Sequence, residues 1–290
     1  MGVRKSLALG VWLLAQALGC YEICHDIRSY SLRNPDNVAQ KWLYALVAIC
    51  VVILYCLSAL SLWKFINTHP GVVPVDWDTY VKNKNVPISH SDPQSFHPRS
   101  AVFCKECNRP RPERAYHCQQ EGKCIMRFDS WSYVFSQSIG LRNGKLYLLT
   151  LFWGSLIFLF TCLACRQEML SKDFTSAERL FGGFLFIMIY LPIGLIALAT
   201  FVLFLQRVIV NRTYQEMEFT SRNPYDLGFY ENLQQVLGKP TYLGFGWLFP
   251  SRVEYPDNAG LFYPVNIPVF EGKYGAMSSY DQWQDENEQH

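Results

Sequence analysis

Charge is what this sequence has least of. Asp, Glu, Lys and Arg make up 17% of its 290 residues, against roughly 25% in an average soluble domain. So few charges cannot cover a large water-facing surface. That excludes a disordered tail protein and a highly charged nucleic-acid binder, and no nucleic acid is expected among its partners. Neither sign dominates either: 26 basic and 24 acidic side chains leave a formal charge of +2, which gives no strong field for steering acidic partners. What abounds instead is apolar. Half of the residues are hydrophobic and 16% are aromatic. The mean hydropathy of +0.03 averages a few long apolar runs with a polar remainder, the pattern of an integral membrane protein with water-facing parts.

About 20 apolar residues cross the hydrocarbon core, because the core is about 30 Å thick and a helix rises about 1.5 Å per residue. Trp42–Ile66 carries no charge before Lys64, and Leu146–Cys165 carries none. Leu180–Val210 is a third run, with Arg207 near its end, where a long side chain can snorkel, and with Pro192 and Gly194 expected to kink it. Leu7–Ile23 is a weaker run. It reads as a further span, with a signal peptide as the alternative: Arg4 and Lys5 make an n-region, but Trp12 is bulky and no small-residue cleavage site follows. Four spans put both termini on one side. The segment Asn67–Gly144 holds ten Lys and Arg, while Cys24–Lys41 and Arg166–Arg179 hold three each. The positive-inside rule therefore predicts a cytosolic central segment and cytosolic termini.

The ten cysteines fall into two groups. Cys20, Cys24, Cys50, Cys56, Cys162 and Cys165 lie in or beside spans, where cysteine behaves as a small apolar residue. The others crowd into CKECNRPRPERAYHCQQEGKC, in a segment read as cytosolic, where disulfides are rare. Cys104-x-x-Cys107 followed by His117 and Cys124 is a Cys3His pattern for one structural zinc ion: a short turn supplies two thiolates and a second knuckle supplies the other two ligands. The rival is a set of unconnected thiols. Cys118 reads either as a reactive or acylated thiol or as a leftover small residue.

This run, between a second and a third span, resembles the DHHC family of protein S-acyltransferases (palmitoyltransferases). Arg109-Pro110-Arg111-Pro112-Glu113-Arg114 with Tyr116-His117-Cys118 is similar to the family's K-P-x-R-x-x-H-C, and Ile139-Gly140-Leu141-Arg142-Asn143 to I-G-x-x-N. His69-Pro70-Gly71 is similar to D-P-G, and Asn211-Arg212-Thr213-Tyr214-Gln215-Glu216 to N-x-T-T-x-E. Asn223-Pro224-Tyr225-Asp226-Leu227-Gly228, Asn232 and Val236-Leu237-Gly238 resemble N-P-[YFW]-D-L-G-x-x-x-N-x-x-x-V-F-G. The resemblance also accounts for Asn211-Arg212-Thr213, which by pattern alone is a glycosylation sequon.

The resemblance implies an α-helical integral membrane protein with four transmembrane helices and a small zinc-bound cytosolic domain of short β-hairpins between spans two and three. The organisation expected is helices 1 and 2 over 1–66, the cysteine-rich domain over 67–144, helices 3 and 4 over 145–210, and a cytosolic C-terminal region over 211–290. An ER or Golgi membrane is typical of the family. From Asn223 as N-cap and Pro224 at the first helical position, a helix over Pro224–Gly238 is predicted, with Leu227, Tyr230, Leu233 and Leu237 as its apolar stripe. Asn223, Pro224, Asp226, Gly228 and Asn232 are its structural residues, and the resemblance has Asn232 helping to pack it against the spans.

The same resemblance exposes a loss. The family uses a cysteine nucleophile, a histidine base and an aspartate that orients the base. Here Asp129 stands at the aspartate position, Ser130 at the base and Ser132 at the nucleophile. Serine cannot serve as a base near neutral pH, and a serine hydroxyl without one is a poor nucleophile. Of the family's two zinc sets, the first maps onto Cys104, Cys107, His117 and Cys124, all present; the second maps onto Cys118, Glu121, Trp131 and Ser138, of which only Cys118 is a ligand. The abandoned site is expected to be refilled by packing around Trp131, Tyr133 and Phe135. Three functions remain in view. One is a pseudoenzyme that binds fatty acyl-CoA or lipid, or a protein partner, in the membrane. Another is an active S-palmitoyltransferase with a displaced nucleophile or a partner subunit. The third is O-acyl transfer through Ser132.

Overall fold

In lipid every backbone polar group must be satisfied within the chain, so a long apolar segment becomes a helix. The computed structural model describes residues 2–33, 38–89, 95–169, 177–219, 221–240, 242–253, 255 and 260–266. Four of its helices are long: α1 (Gly2–Arg33), α2 (Val38–Asn67), α4 (Gly144–Met169) and α5 (Ala177–Ile209). Between α2 and α4 lie α3 (Trp77–Asn83) and seven short strands: β1 (Ile88–Ser89), β2 (Ala101–Cys104), β3 (Arg109–Arg111), β4 (Tyr116–Cys118), β5 (Lys123–Ile125), β6 (Ser130–Ser132) and β7 (Gln137–Ile139). A last helix, α6, spans Phe229–Leu237. Among the described residues three stretches are long and apolar enough to cross a membrane: Lys41–Asn67, Gly144–Leu163 and Ile187–Ile209. The fourth expected span is not among them. α1 has the length of a span.

The chain divides into two compact units. The first comprises Met1–Pro70, Trp131–Gln206 and Lys239–Val253. Its centre is α4, most of whose span is covered, whereas α2 and α5 leave most of theirs exposed. Small residues let the helices approach, as membrane helix pairs require. A Cβ added at Gly154 of α4 would lie 2.5 Å from the Trp12 ring of α1. Aromatic edges fill the rest: Trp12 on Phe158 at 5.1 Å, Phe158 on Tyr190 at 5.6 Å and Tyr147 on Phe204 at 5.3 Å. The Tyr190 hydroxyl donates to the Ala15 carbonyl at 2.7 Å, tying α5 to α1. Gln137 of β7 closes the end of α2. Its Nε2 donates to the Phe65 and Thr68 carbonyls, each at 2.9 Å, and its Oε1 accepts from Lys5 Nζ at 2.9 Å. The Phe65 carbonyl, which also accepts the Thr68 N–H at 3.3 Å, and the Thr68 carbonyl just past the helix each gain a donor.

The second unit comprises Gly71–Ser130, Arg207–Gly238 and the described residues after Val253. Its strands are too short to bury much. β2 pairs antiparallel with β3, placing Cys104 opposite Arg109, and β4 with β5, placing His117 opposite Cys124. The stretch after Pro70 backs β5: Val73 N–H donates to the Cys124 carbonyl and Met126 N–H to the Gly71 carbonyl. Its interior joins an apolar cluster of Phe96, Phe219, Tyr225, Tyr263 and Val265 to a charged network. Arg114, 1% exposed, lays its guanidinium across Glu216 at 2.8 and 2.6 Å, the bidentate geometry that arginine favours, and reaches the Asn211 Oδ1 and carbonyl. Arg127 donates to the same Oδ1 at 3.1 Å. The faces of Tyr225 and Tyr263 cover the Arg114 guanidinium at 4.5 and 5.0 Å.

The C-terminal helix differs from expectation. It runs over Phe229–Leu237, not Pro224–Gly238. Asn223 caps no helix. Its Oδ1 accepts the Tyr225 N–H, an Asx turn, and its Nδ2 donates to the Val210 and Asn211 carbonyls. Gly228 then takes φ 105°, which a helical residue cannot, and α6 starts after it. The buried stripe is Asn232, Leu233, Val236 and Leu237, while Tyr230 is exposed. Asn232 is fully buried. Its Nδ2 donates to the Ile209 carbonyl and to Asp226 Oδ1, and its Oδ1 accepts the Leu227 N–H.

Glu113 lies at the edge of the charged network. It accepts the Arg99 and Tyr263 backbone N–H groups, and burial pushes its carboxyl up to about 8 against the help of those donors and of Arg114. The folded chain then holds a proton that the unfolded chain, with a carboxyl near 4.5, gives up. This contribution to stability is full below pH ~4.5 and is lost as pH rises through ~8. Glu113→Gln cannot lose the proton. Its melting temperature in detergent, relative to wild type, is therefore expected to rise between pH 5.5 and 8.5; a constant difference would contradict the assignment.

Candidate metal centre and motif site

Two knuckles build the metal centre. Cys104 closes β2, Cys107 sits in the turn to β3, and His117 and Cys124 face each other across β4 and β5. All four candidate ligand atoms lie within 4.8 Å of one another. Cys107 Sγ is 3.1 Å from His117 Nδ1 and 3.6 Å from Cys124 Sγ, and Cys104 Sγ is 3.9 Å from that Nδ1. A tetrahedral zinc ion, with bonds of about 2.3 Å to sulfur and about 2.0 Å to nitrogen, separates its ligands by roughly 3.5–3.8 Å. The donor set and its spacing thus fit a soft divalent cation. Without one, burial pushes the Cys124 and Cys107 thiols up, and neighbouring sulfurs push Cys124 further. An ion bound there would have to displace those protons, so its binding would strengthen as pH rises.

Of the suggested second metal set, Cys118 and Glu121 belong to one unit and Trp131 and Ser138 to the other. Among the described residues, the metal-capable cluster is the one above. Cys118 ends β4 and donates to Gln120 Oε1 at 3.5 Å, and Glu121 is in the turn that follows. Trp131 is in β6, and Ser138 is fully buried in β7, where its carbonyl accepts from Asn143 Nδ2 at 2.8 Å. Of the aromatics expected to refill the site, Phe135 is buried, edge-on to Trp12 at 5.4 Å and Phe65 at 5.6 Å. Tyr133 is not: it is 79% exposed, because it sits at the tip of the β6–β7 turn.

The motif residues are all engaged. Asp129 is 5% exposed and accepts four hydrogen bonds, two per oxygen. Oδ1 takes Arg207 Nε at 2.9 Å and the Tyr214 N–H at 3.0 Å; Oδ2 takes Arg207 Nη2 at 2.9 Å and Ser130 Oγ at 3.0 Å. Arg207 therefore does not snorkel. Its guanidinium is matched to a carboxylate. The pair was not anticipated from the sequence; a lone arginine at the end of an apolar run was the available signal. Ser132 Oγ accepts the Phe135 N–H at 3.3 Å, fastening the turn. Asn143 likewise folds back, accepting the Gly140 N–H at 2.9 Å.

Two knuckles with this ligand order, followed by β6 and the Asn143 turn, can be set beside known proteins. Residues 97–222 match the family described as DHHC palmitoyltransferase. Over that stretch the chain is similar to a DHHC palmitoyltransferase domain. Curated proteins similar to it bear matching names. "Probable protein S-acyltransferase 14" of Arabidopsis thaliana is 28% identical over 265 residues, 81% of this chain and 84% of that protein. "Palmitoyltransferase ZDHHC15" of Xenopus laevis is 29% identical over 63% of this chain and 56% of its own length. "Palmitoyltransferase ZDHHC20" of Homo sapiens is 25% identical over 62% and 59%.

If the Asp129–Arg207 pair is structural, its loss registers in stability without any acyl donor present. Breaking a buried pair costs about 3–5 kcal/mol where one partner is left uncompensated. Asp129→Asn keeps the shape but strands the Arg207 guanidinium. It is expected to lower the melting temperature of the purified protein by several degrees, and Arg207→Gln in the same chain should add little more. Additive losses would show that the two residues act independently.

Proposed function

We propose that this chain is an integral membrane protein of the DHHC type that carries one structural zinc ion and has lost acyl transfer, acting instead by binding. The observation that carries this reading is the motif itself. Ser130 occupies the base position and turns its hydroxyl to Asp129; Ser132 occupies the nucleophile position and holds the Phe135 N–H. Acyl transfer to a thiol needs a nucleophile whose proton a base can take. Among the described residues, neither serine has an imidazole as a hydrogen-bond partner. His97 contacts Ser89 and Ser95, and His117 faces Cys104 and Cys107.

Four spans, with α1 as the first, and cytosolic termini complete the proposed topology, with 67–144 as the cysteine-rich segment and an ER or Golgi membrane as its place. Cys104, Cys107, His117 and Cys124 would hold the zinc, which contributes folding free energy and no chemistry. The ligands of binding are a fatty acyl-CoA or membrane lipid, and a protein that an active relative would acylate. A second reading is favoured by the relatives' names: an active S-acyltransferase, using a displaced cysteine or a partner subunit.

Zinc-peptide folding is stabilised by metal on the order of 10 kcal/mol. One zinc per purified chain is expected by metal analysis, and Cys104→Ser should abolish it together with most of the protein's abundance. Two zinc ions, or none, would refute the assignment.

Acylation separates the two functional readings. Purified protein incubated with a clickable fatty acyl-CoA is expected to carry no hydroxylamine-sensitive label. The Ser130→His, Ser132→Cys double variant reports whether the remaining scaffold supports transfer. Label on the unmutated chain that disappears when one native cysteine is replaced would establish the active reading instead.

A further inference from the structure

The stretch after α6 has an unusual setting. Tyr242–Leu248 is a 3-10 helix, and it belongs to the same unit as α4. Three backbone and side-chain acceptors tie it there. Lys145 Nζ, in the first turn of α4, donates to the Gly246 carbonyl at 3.2 Å and to Ser251 Oγ at 2.9 Å. Farther along the same helix, Trp153 Nε1 donates to the Leu248 carbonyl at 3.2 Å. Lys145 is 4% exposed and Trp153 8%, so both groups are committed to this segment.

Those two donors set a depth. Gly144–Leu163 is one of the stretches apolar enough to cross a membrane. Trp153 lies nine residues past Gly144, about 13 Å along the axis at 1.5 Å per residue. Helical side chains lean back toward the N-terminus by about a turn. The Leu248 carbonyl then sits roughly 8 Å inside the start of the span, which is about the thickness of one headgroup layer. Irregular backbone survives at that level only if its polar groups find partners in the protein, and an indole N–H and an ammonium supply them here. In the same segment Phe245 is 65% exposed, Phe249 55% and Leu248 41%. Three large apolar side chains would be costly to leave in water. Against acyl chains each contributes free energy as buried apolar area, on the order of 25 cal/mol per Å².

We infer that Tyr242–Pro250 is a membrane-interface element, whose Phe245, Leu248 and Phe249 side chains enter the lipid leaflet at the N-terminal end of α4. The inference rests on α4 spanning the membrane and is independent of whether the chain transfers acyl groups. Lysine and tryptophan act as clips. They hold a non-helical segment against the span while its aromatic edge faces lipid, as interfacial aromatics do.

Photocrosslinking tests it. The full chain is prepared with p-benzoylphenylalanine at position 245, 249, 203 or 75 and reconstituted in phosphatidylcholine vesicles. After irradiation, lipid adducts are read by mass spectrometry. Leu203 is exposed on the α5 span, and Val75 is 83% exposed in the unit that holds the metal centre. Lipid adducts at 245 and 249 at a yield within about threefold of that at 203, with none at 75, are expected. Adducts at 203 but only water- or protein-derived products at 245 and 249 would overturn the inference while leaving the span intact. No lipid adduct at 203 would overturn the spans themselves, and the inference with them.

Discussion

A guanidinium buried from water must be matched on every face, and Arg114 is the residue around which the second unit is arranged. Four of its five N–H donors find Glu216 and Asn211, and two tyrosine rings cover its planes. None of these partners is near it in sequence: Asn211 and Glu216 come about a hundred residues later. The stretch that carries the metal knuckles and the stretch after α5 are therefore held in one unit by a charge that neither can leave unpaired. Leaving such a group uncompensated costs several kcal/mol, which makes the pairing a constraint on everything packed beside it. Asn211 sits at φ 48° because its side chain and carbonyl are both required there.

The apolar runs and the cysteine spacing were legible in the sequence because each follows a short-range rule. Run length predicted α2, α4 and the apolar stretch of α5, and the C-x-x-C turn with a second knuckle predicted the cluster of Cys104, Cys107, His117 and Cys124. Long-range pairings were not legible. Nothing local says that Arg207 meets Asp129, that Gln137 closes α2, or that Lys145 reaches Gly246. The misplaced start of α6 has a different cause. Asn223-Pro224 is a good helix opening by local preference, but the Asn223 side chain is drawn to the Val210 and Asn211 carbonyls instead. Tertiary demand overrode propensity. Tyr133 was misjudged because an aromatic in a strand-rich region suggests burial, whereas the turn it occupies projects it outward.

The candidate metal centre and the charged network lie in one unit that has little sheet. The knuckles bring three thiols and an imidazole within 4.8 Å of one another, the spacing that a tetrahedral ion would use. The network sets the Arg114 guanidinium against Glu216.

The four hydrogen bonds on Asp129 have a further consequence. An ionised carboxylate offers about four acceptor sites, and the Ser130 hydroxyl fills the last of them. An imidazole N–H directed at the same oxygen would satisfy it equally well. The carboxylate alone therefore does not discriminate between the two side chains. What separates them is the second ring nitrogen, which can take a proton near neutral pH where a hydroxyl cannot.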